Sequence, residues 1–220
     1  MIPGGPVAFK GWPAEALEFY EGLEADNSRS YWMANKGVYE DAVRAPMVAL
    51  LADLEHEFGA GRIYRPYRDL RFSPDKTPYK TVMGASLEDG GYVQISSHGL
   101  AAASGMYHMA SDQLDRYRRA VAHDLTGEQL ERIIAEAAGR KVVITGRSSL
   151  KTAPRGYPKD HPRIGLLRHK GLIAWQEWPA AAWLGTAAAK DRVITFLREA
   201  RPLRDWLDKH VGESELAEER

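Results

Sequence analysis

The residues whose types and spacing could do chemistry lie together in one run, Arg65-Pro66-Tyr67-Arg68-Asp69-Leu70-Arg71-Phe72-Ser73-Pro74-Asp75-Lys76-Thr77-Pro78-Tyr79-Lys80. Guanidinium forks, ammonium groups and phenols are an anion-recognition kit, suited to phosphate, carboxylate or sulfate. If 65–72 is a strand, Arg65, Tyr67, Asp69 and Arg71 share one face, and Arg68 points the other way with Leu70 and Phe72. A carboxylate between two arginines on one face can hold one guanidinium and leave the other to a ligand. The following loop adds Lys76, Tyr79 and Lys80, stiffened by Pro74 and Pro78. The candidate anion ligands are therefore Arg65, Arg68, Arg71, Lys76 and Lys80. Asp69 is a candidate general base or the orienter of an arginine, and Tyr79 a candidate donor of a hydrogen bond or proton. Flanking guanidinium groups lower a carboxyl pKa, which makes Asp69 a poor base and favours the orienting role. The competing reading is a buried Arg–Asp network that ties a sheet to acidic helices.

A second basic stretch, 140–170, holds nine Lys/Arg and one acid, Asp160. Its Lys151, Arg155, Tyr157, Lys159, Arg163, Arg168 and Lys170 surround Pro154, Pro158 and Pro162. Such a loop could close over the first segment and contribute Lys151 and Arg155 to an anion pocket, or it could be a solvated basic surface. Familiar catalytic signatures are absent: no phosphate loop ending in Lys-Ser/Thr, no His-Glu-x-x-His, no nucleophile elbow and no dinucleotide fingerprint. His98 and His108, with Asp112 nearby, could face one another across a hairpin as metal ligands. Histidines at strand ends are common without metal, and no metal or cofactor is assigned.

The run Arg65, Arg68, Asp69, Arg71, Phe72, Lys76 and Tyr79, with Asp75 at an Asp/Asn position, resembles the signature of the domain-of-unknown-function 2461 family. The resemblance extends to Ser30-Tyr31-Trp32 with Asn35-Lys36, and to Leu150-Lys151-Thr152-Ala153-Pro154-Arg155-Gly156-Tyr157. It implies a bacterial protein of about this length and supplies no activity, cofactor or catalytic residue. So many charged residues in one short signature do favour a shared site over a scaffold.

The elements that must position these residues follow from apolar spacing. A short helix is expected at 13–24, and Tyr39, Val43, Met47, Leu50, Leu54 and Phe58 mark a buried helical face interrupted at Pro46 and stopped at Gly59. Strands are expected at 64–72, 81–88, 92–97 and 100–109, joined by turns short enough to require an antiparallel meander. Their later members are rich in small residues, which lets a helix or a ligand approach closely. Helices then follow at 112–123 and 127–138, the latter behind Thr126 and Gln129 as a capping pair. Further strands at 142–145 and 172–178 and helices at 187–200 and 203–210 complete an α+β fold, read as a single domain over 1–220 with a frayed tail at 212–220.

Composition narrows the function. An apolar fraction of 44% and a charged fraction of 27% are those of a globular chain. The absence of cysteine excludes disulfides and thiolate chemistry, and no stretch is long and apolar enough for a membrane span or signal peptide, so a cytoplasmic protein with no membrane partner is expected. The formal net charge is zero, yet 62–80 and 140–170 together carry 15 of the 30 basic residues and 3 of the 30 acidic ones. Concentrated cations of this kind imply a positive face or cleft, or else ion pairs with the acidic helices. A binder of a small anionic ligand, using binding or acid–base and electrostatic chemistry, is the leading expectation, since no covalent nucleophile stands out. The alternatives are nucleic-acid binding, with Tyr64, Tyr67, Tyr79 and Tyr157 available for stacking, and a non-enzymatic interaction domain built on the six tryptophans.

Overall fold

The structure, a computed structural model, describes residues 8–69, 71 and 76–216. The N-terminal helices are α1 (Glu15–Ala25), α2 (Arg29–Val38) and α3 (Ala45–Phe58), with a π-helical stretch at Tyr39–Arg44 between the last two. Ser28 caps α2 by accepting a hydrogen bond from the Tyr31 N–H. The wide π turn sits where Pro46, in the first turn of α3, has no N–H to donate. A proline is tolerated there because the first N–H groups of a helix have no intrahelical acceptor. Gly59 ends α3 at φ 75°, a backbone conformation that a residue with a Cβ adopts only under strain.

Strands β1 (Gly61–Ile63), β2 (Val82–Leu87), β3 (Gly91–Ser96), β4 (Gly99–Met106), β5 (Val143–Thr145) and β6 (Leu172–Pro179) line up in the order β1-β2-β3-β4-β6-β5. Pairing is antiparallel at β1–β2, β2–β3 and β5–β6. Helices α4 (Ser111–Ala122), α5 (Asp124–Gly139), the short α6 (Ile164–Leu167) and α7 (Ala188–His210) complete an α+β fold, with a 3₁₀ turn at Ala182–Gly185. No helix among the described residues is long and apolar enough to cross a membrane.

The chain folds as two compact units. The first comprises residues up to Ala102 with Glu177–Thr195. Its core joins one face of α1 (Ala16, Phe19, Tyr20, Leu23) and α3 (Met47, Leu50, Leu54, Phe58) to β2 and β3 through Met83, Ala85, Leu87, Val93 and Ile95. Two of the small residues have steric causes here. A Cβ on Gly61 would lie 2.7 Å from a Leu51 methyl, and one on Gly84 would strike the Tyr92 hydroxyl on the neighbouring strand.

The second unit comprises Ala103–Gln176 and residues from Phe196 onward. Tyr117 and Val121 of α4, Leu130 of α5, Leu167 of α6 and Phe196, Leu203, Trp206 and Leu207 of α7 are buried in it. Arg163, only 7% exposed, joins the α6 approach to α5: its Nε donates to Glu131 at 2.9 Å, and Asp124 and Glu128 lie at 3.3 and 3.9 Å.

Several expected elements differ in detail. The strand expected over 64–72 is absent among its described residues: pairing with β2 ends at Ile63, and only an isolated bridge, Tyr67 to Tyr79, follows. Pro66 has no N–H to extend a ladder. Leu70 and Phe72, expected on the face of Arg68, lie outside the described residues, as does Asp75. Helix α5 starts at Asp124, and the Thr126 hydroxyl donates to the Ala120 carbonyl, so Thr126 is not a cap. Helix α7 runs through Pro202 without the break expected at 200–203. The buried residues on both sides of Pro202 offset a proline cost of about 3 kcal/mol.

Candidate functional site

The described residues of 64–81 belong to no strand or helix and are held at a few defined points. The Tyr64 N–H donates to the Gly84 carbonyl at 2.9 Å, where β1 ends. Beyond it, Arg68 N–H donates to Pro78 O at 2.9 Å and Lys80 N–H to Pro66 O at 2.8 Å, so the two arms of the loop bind each other across the Tyr67–Tyr79 bridge. Asn27, in the turn between α1 and α2, supplies what a neighbouring strand would have given. Its Oδ1 accepts from Tyr79 N–H at 3.0 Å and its Nδ2 donates to Tyr79 O at 3.1 Å.

An aromatic cluster seats the loop on the helices. The Tyr79 ring stacks on Trp32 of α2 with centroids 4.4 Å apart and planes 6° from parallel. Trp32 also packs against Tyr39 and Phe19, and the Tyr67 ring lies 5.5 Å from Tyr79 and 6.1 Å from Trp32. Trp32, Tyr39 and Tyr79 are all buried, whereas Tyr67 is half exposed. Burial pushes the Tyr39 phenol up to about 12, reinforced by Glu40. Tyr79 thus enters the site as the buried anchor of the loop.

The charges sit on the outside of this anchored loop. Arg71 grips Asp69 with two parallel bonds, Nε to Oδ1 at 3.0 Å and Nη2 to Oδ2 at 2.7 Å, and its backbone N–H donates to Oδ1 at 3.2 Å. These bonds hold the Asp69 carboxyl down at about 2, with the Arg71 and Arg65 charges adding to them. A carboxylate that acidic is a poor proton acceptor near neutrality, and its bonds fix the direction of the Arg71 guanidinium. The Arg68 guanidinium donates to the Thr77 hydroxyl across the loop. Lys80 Nζ lies 5.8 Å from the centre of the Tyr64 ring. Arg65, Arg68, Arg71 and Lys76 are exposed and Lys80 half-buried. Arg65 and Arg68 lie on the arm that carries Tyr67 of the Tyr67–Tyr79 bridge, and Lys76 and Lys80 on the arm that carries Tyr79.

A family model described as a conserved hypothetical protein, DUF2461, matches residues 15–206. The chain belongs to this family. No curated protein and no solved structure matches it.

The other expected residues of this DUF2461 protein lie in the second unit. Lys151 and Arg155 are exposed in the turns around Pro154. The preceding segment is fixed by a bridge between Ser149 and His169, with Leu150 N–H donating to Arg168 O at 2.8 Å. Among the nine cations of 140–170, Arg163 has the ion-pair role that competed with ligand binding in the sequence, and Arg147 lies over Trp175 at 5.3 Å. Of the six tryptophans, Trp12, Trp32 and Trp206 are buried and Trp175, Trp178 and Trp183 are half-buried, with Arg192 over Trp183 at 4.5 Å. No group of three or more His, Asp or Glu able to hold a metal occurs among the described residues, so His98, His108 and Asp112 do not form one.

Sequence reasoning missed two features of the first unit. Asn27 reads only as the stop between two helices, because nothing local reveals that its carboxamide binds a backbone 52 residues away. A cleft of about 470 Å³ lined by Glu24, Thr81, Gln94, Ser96, His98, Glu177 and Trp178 is also invisible in the sequence, because its residues come from four separate segments.

Proposed function

We propose that the loop 65–80 binds a small anionic ligand, bearing phosphate or carboxylate, through charge-assisted hydrogen bonds. The observation that carries this reading is the bidentate Asp69–Arg71 pair beside a Thr77-braced Arg68, on a loop anchored by Asn27 and Trp32. Two guanidinium groups whose directions are already fixed lose little rotamer freedom on binding, which is the main cost of recruiting long cationic side chains. Arg65, Lys76 and Lys80 add positive charge that attracts the anion. Asp69 orients, Tyr79 anchors, and neither transfers a proton. The reading is of binding and electrostatic stabilisation.

One observation favours a second reading. Tyr64 and Tyr67 are 42% and 51% exposed among these cations, as an aromatic platform for unpaired bases requires. Thermal stability against phosphate, sulfate, sugar phosphates, nucleotides, dicarboxylates and short oligonucleotides separates the two. A small anion that binds only the folded protein, at a hundred times its Kd, adds about 2.7 kcal/mol. The first reading expects such an effect from a small anion, removed by Arg68→Ala. Stabilisation by oligonucleotides alone, falling steeply with salt, would transfer the assignment to the second. Failure of every anion to stabilise the protein would remove both.

A further inference from the structure

The second unit contains a positively charged depression that the loop reading does not use. Its volume is about 410 Å³, and its wall is formed by Arg116, Arg119 and Ala120 of α4, by His123 and Thr126 at the start of α5, and by His210 at the end of α7. Arg116, Arg119 and Ala120 share one face of α4, and His123 is the extended residue between α4 and α5. The charges on it are not equivalent. Arg116 is consumed by structure: its guanidinium donates to the carbonyls of Val211 and Glu213 and pairs with Asp112 at 3.2 Å.

Several carboxylates of these elements are likewise engaged, although Asp115, one turn before Arg119 on α4, is in no ion pair among the described residues. Asp112 accepts from Ser214 and from the Glu215 N–H, Asp208 accepts from Arg204 at 2.7 Å, and Asp124 pairs with Arg163. Glu215 lies 3.9 Å from Arg116. Arg119, by contrast, is exposed and makes no ion pair among the described residues. The Nε2 of His210 is buried and has no hydrogen-bond partner among the described residues, an arrangement that costs free energy unless something binds it.

We propose that this depression is a site for a small tetrahedral oxyanion, of the sulfate or phosphate-monoester class, held by Arg119 and the imidazoles of His123 and His210. Arg119 supplies a permanent guanidinium, and each protonated imidazole adds a charged donor. The Thr126 hydroxyl already donates to Ala120 and remains an acceptor, so it is not among the anion's donors. Burial and the adjacent Lys209 hold the His210 pKa below the ordinary imidazole value, so the unliganded residue is neutral at pH 7. An anion in contact with it reverses that balance, and binding strengthens as pH falls through the imidazole range. The site does not depend on the loop 65–80.

The test is a titration of the ¹⁵N-labelled full chain with sodium sulfate at constant ionic strength, balanced by sodium chloride, following the imidazole nitrogens by NMR. Sulfate stays a dianion across the imidazole range, so any pH dependence belongs to the protein. The expected result is saturable shifts at His123 and His210, an upward move of the His210 titration midpoint, and at least tenfold weaker affinity in Arg119→Ala. Arg68→Ala leaves these shifts unchanged, because Arg68 is not among the residues that line the depression. A repeat with phenyl phosphate shows whether a monoester is taken as well as free sulfate, and rejection of it restricts the class to inorganic oxyanions. Sulfate shifts no larger than those of chloride would overturn the proposal. So would retention of full affinity in Arg119→Ala, or the loss of the shifts in Arg68→Ala.

Discussion

Replacing Asn27 by alanine tests whether one side chain holds the cationic loop in shape. In the native protein the Asn27 carboxamide pairs with both backbone groups of the buried residue Tyr79, at 3.0 and 3.1 Å. Alanine leaves that N–H and C=O without partners. An unmet buried polar group costs about 1–3 kcal/mol, and the lower figure applies to each because water can reach the edge of the loop. The loop is therefore weakened by about 2 kcal/mol, or roughly 30-fold in its opening equilibrium. Native-state hydrogen exchange reads this directly. The amides of Arg68, Tyr79 and Lys80 should exchange roughly 30-fold faster, while those of Val93 and Ile95 in β3 keep their protection. Affinity for the loop's anion falls by up to the same factor, because binding requires the ordered form. Exchange at all three amides within about threefold of wild type would refute the tether. Equal acceleration in β3 would show a global effect instead.

The remaining predictions concern charge. The Asp69 carboxyl, held at about 2, contributes loop stability that is present above its unfolded pKa and is lost as pH falls from about 4 to about 2; a carboxyl carbon that titrates at the ordinary aspartate value by NMR would contradict the Arg71 pair. Arg163→Met removes the charged bonds to Glu131 and Asp124 and should cost about 2 kcal/mol of stability in urea unfolding while leaving anion binding by the loop intact. An unchanged urea midpoint would show that those bonds are worth little. Asp112→Ala deprives Arg116, Ser214 and the Glu215 N–H of a common acceptor, and proteolysis within 212–216 should accelerate markedly. Cleavage at the wild-type rate would show that other contacts hold this segment.

The sequence by itself determined the class of fold and the chemistry of the candidate loop. Apolar residues at three- and four-residue spacing set α1, α3, α4 and α5, and short turns between apolar runs set the antiparallel strands β2, β3 and β4, because burial of one face dictates the period. The residue types of 65–80 likewise carry their own chemistry, since a guanidinium beside a carboxylate is a bidentate pair in almost any backbone. Only the tertiary structure decided the rest. The pairing of both Tyr79 backbone groups turned on Asn27, which reaches them from a turn 52 residues away. The burial of Tyr79 turned on Trp32, which stacks on its ring from a helix far away in the chain. The basic stretch 140–170 divided in the same way, with Arg163 drawn into α5 and Lys151 and Arg155 left in solvent, because a cation's partner is set by what the fold brings near it and not by its neighbours in the chain.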